Sequence, residues 1–433
     1  MSQGSTTLIP GVELTKLDSG LRIVTETVPS VRSVALGLWV KTGSRDEPLA
    51  QAGVSHFLEH LLFKGTESHT AIEISELFDG MGAASNAATS KETTHLFARF
   101  LDEHVEDAFA LMAEMLLSPS LPADEIDSER EVVLEEIAMY EDEPQDRVHD
   151  VLAEAIYGDH PLGRRVLGRA EVIGSIPVPE IAGYHGTRYN ADNIVVGAAG
   201  HLDHDRIVEL AERLLPARPG DGAHANGAAA VEPGRFRFHP KETEQFHICF
   251  GGAGLARADE RRYALALLDT TFGGSVSSRL FREIREKRGL AYAVGSYTHE
   301  FADRGFVAMY VGTRADNVGE ACEIIGRELA SLSGEGVRGE ELERAKEHVK
   351  GRMVLGMEST GARMGRIARA TLFGLEILSL DEMIAKVDAV SEDDVAELAA
   401  ELYSPDGFSA ACIGKDETCF TDAVGAVSEN LSA

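Results

Sequence analysis

The segment VSHFLEHLLFKG, residues 54–65, holds His56, Glu59 and His60 within five positions. Histidines four apart on a helix lie one above the other on one face. Two neutral imidazoles one turn apart can chelate zinc at tetrahedral geometry. Glu59, beside them, can reach the water that such a site activates. The same string also fits two solvated histidines on an amphipathic helix, so a third ligand has to decide between the readings.

Val54, Phe57, Leu58, Leu61 and Leu62 recur at helical spacing and predict one apolar stripe, with Gly65 as the stop. At 100° per residue the histidines fall opposite that stripe, which predicts imidazoles facing a cleft or solvent. The third ligand is sought in DEIDSEREVVLEEIAMY, a predicted helix whose apolar face reads Ile126, Val132, Val133, Ile137 and Tyr140. Glu129 and Glu136 project on that face; Glu131 and Glu135 project away. A carboxylate on a buried face is costly unless it is paired or bound to a cation. An arginine partner would account for one such glutamate; two on one stripe fit a ligand and its supporting acid.

The elements that must position these residues repeat. Strand-like segments LRIVTETV and SVALGLWV open the first half, and QFHICFGG opens the second. An apolar helix ending near glycine follows in each, VSHFLEHLLFKG and YALALLDTTFGG, and then another strand pair and two helices. The stretch PARPGDGAHANGAAAVEPG, residues 216–234, is rich in Gly, Ala and Pro and reads as a linker. The expected architecture is α+β, an internal duplication of two homologous domains at 1–215 and 235–433, each an antiparallel-rich sheet with helices packed on one face.

H-x-x-E-H followed by a glutamate 76 positions after the second histidine (136 − 60 = 76) resembles the pitrilysin-type, or inverzincin, zinc peptidases of family M16. The chain length and the duplicated halves resemble the subfamily of mitochondrial processing peptidase and its bacterial homologues. The resemblance implies zinc, one ion per chain, held by His56, His60 and Glu136. It implies Glu59 as general base and Glu129 as the supporting acid. Asn86 and Ala87, in SNAATSKETTHLFARF, match an edge strand that pairs with substrate backbone. Phe63 matches a residue lining the pocket after the cut. Arg285 and Tyr292, in SSRLFREIREKRGLAYAVGS, match groups that act on the scissile carbonyl. Asp146 and Asp150 match acids that bind an arginine upstream of the cut. Each has a plainer reading: a turn residue for Asn86, solvated charges for Arg285, Asp146 and Asp150, a half-buried strand residue for Tyr292.

By hand alignment Leu265, Leu268 and Asp269 stand where His56, Glu59 and His60 do, and Arg352 where Glu136 does. The second copy therefore lacks the ligands and is expected to clamp substrate. The implied activity is a metalloendopeptidase cutting peptides or unfolded segments inside a dimeric chamber, as a homodimer or paired with a zinc-lacking homologue. The alternative is a non-catalytic family member, a partner subunit or peptide-binding module.

Composition sets the outer limits. With 41 Lys+Arg against 72 Asp+Glu, the formal net charge of −31 argues against nucleic acid as a partner. Cys249, Cys322, Cys412 and Cys419 form no CxxC pair, which fits a reducing compartment. GGAG at 251–254 lacks the spacing of a phosphate-binding loop. The opening segment reads as neither signal nor transit peptide, and no apolar run is long enough for a membrane span. A cytoplasmic location is expected.

Overall fold

The computed structural model describes residues 4–218, 229–231 and 233–431. The chain divides into two compact units, one of residues 1–138, 165–226 and 354–379, the other of 139–164, 227–353 and 380–433.

The first unit is built on a seven-stranded sheet of β1 (Thr6–Ile9), β2 (Val12–Lys16), β3 (Arg22–Thr27), β4 (Ser33–Val40), β5 (Ala84–Thr89), β6 (Thr94–Leu101) and β7 (Ile194–Gly200). Their spatial order is β1-β2-β3-β7-β4-β6-β5, antiparallel throughout except for β3 with β7. The helices are α1 (Val54–Leu61), α2 (Ala71–Gly80), α3 (Val105–Leu117), α4 (Ala123–Asp142, which runs on past the unit), α6 (Ala170–Ile173), α7 (Val178–Arg188), α8 (His204–Leu214) and α12 (Thr360–Phe373). Strand β4 shows why both sheet faces are covered. Its Val34, Leu36, Leu38 and Val40 enter a core with Phe57, Leu58, Phe109 and Met112 of α1 and α3, while the alternate residues Ala35 and Trp39 enter a second core. That second core is closed by Met364, Ile367, Ala368 and Leu372 of α12. The helix lies so close to β7 that a Cβ on Gly197 would stand 2.5 Å from the Cβ of Ala368.

The second unit repeats the plan on five strands, β8 (Phe236–Pro240), β9 (Phe246–Ala253), β10 (Ala291–His299), β11 (Phe306–Thr313) and β12 (Phe408–Gly414), in the order β10-β11-β9-β12-β8. Only β8 with β12 is parallel. One face carries α9 (Arg262–Phe272), α10 (Val318–Glu335), α11 (Glu340–Gly356), α13 (Leu380–Asp388), α14 (Glu392–Leu402) and α15 (Glu417–Val424). The other face is covered by α5 (Pro144–Tyr157), whose Val148, Val151, Leu152 and Ile156 pack on Cys249, Phe306, Ala308 and Ala411.

The protein is thus α+β with two like units, and β4-α1-β5-β6-α3-α4 reappears as β9-α9-β10-β11-α10-α11. The boundaries expected at 215 and 235 need correction. Helix α5 is encoded in the first half but belongs to the second unit, and α12 is encoded in the second half but belongs to the first. Apolar spacing marks a helix as amphipathic without saying which sheet it covers. Within the expected linker, residues 219–228 and 232 lie outside the described residues. Ala229 is buried in the second unit, and its N–H donates to Asp303 Oδ2 at 3.1 Å.

Candidate metal centre

Helix α1 is fixed at its start. Gly53 has φ 100°, a left-handed conformation that favours glycine, and a Cβ there would meet the Leu167 carbonyl at 2.8 Å. The buried Glu47 carboxylate caps the helix, accepting from the N–H of Gly53 at 2.7 Å and of Ser55 at 2.8 Å. The Tyr184 hydroxyl joins Ser55 Oγ at 2.8 Å to Thr42 Oγ1 at 2.9 Å. The helix ends at Leu61, four residues before the expected stop; Gly65 instead bridges to Thr70 after an intervening turn.

The histidine face is partly covered, with His60 and Glu136 keeping side-chain exposures of 22% and 28%. His56 is only 8% exposed. The apolar stripe packs in the core as expected, and of the two expected settings for the imidazoles it is the cleft that holds: Glu129 and Glu136 of α4 and Thr89 of β5 line that face of α1. Helix α4 is seated by Ile126, Val133 and Ile137. Its Arg130 guanidinium lies 5.5 Å over the Phe57 ring and donates to the Ile173 and Ile176 carbonyls. The buried stripe therefore runs through Ile126, Glu129, Val133 and Ile137, and Glu131 and Glu135 face out as expected. Val132 and Tyr140, expected on that stripe, are exposed; Val132 is turned 100° from Val133.

His56 Nε2, His60 Nε2 and Glu136 Oε2 form a triangle with sides of 3.3, 3.4 and 3.6 Å. A tetrahedral zinc ion with bonds of about 2.0–2.1 Å sets its ligand atoms about 3.3–3.4 Å apart, so these residues fit zinc. Among the described residues no other group of three His, Cys, Asp or Glu could share an ion. Burial, and then the neighbouring His60, push the His56 pKa down to about 4, which keeps the imidazole neutral and its lone pair available.

The His60 Nδ1–H donates to Glu129 Oε1 at 2.8 Å, which leaves Nε2 as the donor toward a metal. The other Glu129 oxygen meets Lys64 Nζ at 2.5 Å. Burial opposes the charge on Glu129, but the bonds from Lys64 and His60 outweigh it and hold the carboxyl below its ordinary range. Lys64 and Glu47 escaped the sequence reading. Lys64 follows His60 by four positions, so it shares the histidine face, and that spacing was the available signal.

Glu59 is raised above the usual carboxylate range by burial, reinforced by Glu136 and opposed by Thr89 and His60. Its Oε2 is buried and has no hydrogen-bond partner, so it is a free acceptor inside the site. Phe63 lies just past α1, partly buried against the first core. Asn86 and Ala87 lie in β5, the last strand of the sheet, with Asn86 opposite Phe97 of β6. Asn86 is thus a strand residue and not a turn residue.

Arg285, Tyr292, Asp146 and Asp150 belong to the second unit. Tyr292 is 78% exposed, which rules out a half-buried strand position. The Arg285 guanidinium stacks 4.3 Å over the Tyr292 ring and donates to the Tyr292 carbonyl at 3.1 Å. Asp146 and Asp150 lie one turn apart on α5, flanking His149, which bonds the Tyr297 hydroxyl at 2.6 Å. Leu265 and Leu268 are fully buried, and Asp269 accepts a 2.7 Å bond from Ser296 Oγ, with burial raising its carboxyl above the usual range.

Residues 22–170 match the family model described as insulinase (peptidase family M16), and residues 175–349 match that of the peptidase M16 inactive domain. The chain belongs to peptidase family M16. An uncharacterized zinc protease of Streptomyces coelicolor is 42% identical, across 90% of this chain and 87% of its own length. The uncharacterized zinc protease YmxG of Bacillus subtilis is 41% identical, across 90% and 95%. A protease from Helicobacter pylori shares the M16 fold at TM-score 0.87 and 23% identity, over 94% of this chain and all of that one.

Proposed function

We propose that this M16 chain is a zinc metalloendopeptidase of the inverzincin type that hydrolyses peptides or unfolded segments. The observation that carries the reading is the donor triangle of His56, His60 and Glu136 with the raised carboxylate of Glu59 one residue before His60. A zinc ion held there supplies Lewis acidity toward water and toward a peptide carbonyl. His56 and His60 offer neutral nitrogen donors, and Glu129 keeps His60 in the required tautomer. Glu59 Oε2 takes the proton of the attacking water and returns it to the leaving amine. The outer edge of β5, with Asn86 and Ala87, binds the substrate as an added strand, through main-chain bonds that do not read sequence. Phe63 lines the pocket after the cut. Tyr292, supported by Arg285, donates to the oxyanion. Asp146 and Asp150 favour a basic residue upstream.

One ion per chain is proposed, because the second unit has Leu265, Leu268, Asp269 and Arg352 where the first has His56, Glu59, His60 and Glu136. The working form is a homodimer, two chains supplying four such units around a chamber. The free cysteines Cys249, Cys322, Cys412 and Cys419 suit a cytoplasmic location. No described helix is long and apolar enough to cross a membrane.

The test is metal analysis of the purified chain together with mass-spectrometric mapping of cuts in a peptide library, with and without a chelator. Stoichiometric zinc and chelator-sensitive cuts support the reading. Zinc with peptide binding but no cuts would make the chain a partner subunit or binding module, and light scattering checks the dimer.

A further inference from the structure

The second unit keeps a small cavity between the end of α9 and the first turns of α11. By the alignment that sets Asp269 at His60 and Arg352 at Glu136, Gly273 stands where Lys64 does and Ala345 where Glu129 does. Both long side chains of the Lys64–Glu129 ion pair are thus replaced by small ones. Ala345 forms part of the wall of the cavity, whose volume is about 40 Å³. A water needs about 10–15 Å³ on that measure, so the space takes a group of a few heavy atoms and no more. The wall is rich in hydroxyls. Thr270 and Thr271, in the last turn of α9, are buried, and Thr271 Oγ1 has no hydrogen-bond partner. Ser275 and Ser277 follow, with their Oγ atoms 3.3 Å apart.

Charge decides what the cavity takes. Its one carboxylate, Glu341, is already held by the buried Arg279, through Nε at 3.0 Å and a second guanidinium nitrogen at 2.7 Å. Arg344 and His348, one turn apart on α11, complete the wall and make no ion pair among the described residues. Neighbouring acids of the helix are engaged elsewhere, Glu343 with Lys346 and Glu347 with Lys350. A cation would therefore find no free carboxylate in the wall. An oxyanion would find a guanidinium, an imidazole and hydroxyls, all able to donate. We propose that this cavity binds a small tetrahedral oxyanion, of phosphate or sulfate size, with Arg344 as its charged anchor. The site lies wholly in the second unit and does not rest on the peptidase reading.

The test is calorimetric titration of the full-length, zinc-loaded chain with inorganic phosphate, at an ionic strength held constant with chloride. Saturable binding of a single ion in this cavity is expected. Arg344→Gln removes a charge-assisted hydrogen bond and should weaken that binding about tenfold or more. Arg344 is exposed, so the fold does not depend on it. Arg344→Lys keeps the charge and should bind between the two. Ala345→Glu puts a carboxylate into the wall, as Glu129 does in the first unit, and should abolish the binding while zinc content stays at the wild-type level. Phosphate held by the zinc ion instead would survive both Arg344→Gln and Ala345→Glu. Binding that is unchanged in those two variants overturns the proposal, and so does the absence of saturable binding to the wild-type chain.

Discussion

Lys64 Nζ lies 2.5 Å from Glu129 Oε2, while Glu129 Oε1 lies 2.8 Å from the Nδ1 of His60. The lysine thus fixes the carboxylate that fixes the ligand. With its aliphatic stem kept and its charge removed, Lys64→Met leaves Glu129 one partner short and free to turn away from His60. Losses of such outer partners typically weaken metal binding 10–100-fold. The zinc dissociation constant, read by competition with a chromophoric chelator, should rise about tenfold in Lys64→Met and stay near wild type in Lys64→Arg. Equal affinity in all three would mean that the ion pair is incidental.

Glu59 differs from the ligands in what its removal should cost. Its Oε2 is buried without a partner, and the side chain belongs to none of the three donors. Glutamine has the same shape and cannot accept a proton. Glu59→Gln should therefore hold stoichiometric zinc while peptide hydrolysis falls by about 10²–10⁴-fold, the usual contribution of general base catalysis. Metal analysis and a fluorogenic peptide measure the two quantities on one sample.

The two halves of the donor cluster were legible in the sequence because each is local. His56 and His60 are one turn apart, and Glu129 and Glu136 are two turns apart on one helix, so spacing groups each pair, while the resemblance joined the two pairs into one site. What spacing does not carry is which surface each helix meets. Helix α1 reads as amphipathic, yet His56 is buried, since the covering carboxylates come from a helix some 70 positions on (129 − 60 = 69). Val132 and Tyr140 read as core because they are apolar, and only packing separates them from Val133. Glu47 caps α1 from six positions before Gly53 through a loop that no helical periodicity describes. The exchange of α5 and α12 between units was likewise invisible, because either sheet offers an apolar face to either helix.

The close approach of α12 to the first sheet rests on a missing side chain. A Cβ at Gly197 would stand 2.5 Å from the Ala368 Cβ, and neither group can swing aside. Gly197→Val should destabilise the chain by about 1–3 kcal/mol, as overpacking typically does. The loss should be local first, as faster amide exchange across residues 360–373. Ala368→Gly in the same chain should recover part of it. Thermal denaturation of the two single variants and the double variant measures the coupling. Additive losses would mean that the two positions do not meet.

The exchanged helices also set what a break in the chain can do. A cut within residues 219–228 yields one fragment carrying the first sheet and α5, and another carrying the second sheet and α12. Each fragment then holds a helix it has no use for and lacks the one it needs. The first leaves Val24, Trp39 and Val195 uncovered, and the second leaves Cys249, Ala308 and Ala411 uncovered. Apolar faces of that kind drive association or aggregation. Expressed alone, each fragment should lack a cooperative thermal transition. Co-expressed, the two should form a soluble complex that binds one zinc ion through His56, His60 and Glu136. Were each unit a contiguous stretch of sequence, either fragment alone would unfold cooperatively, and the first would bind zinc unaided.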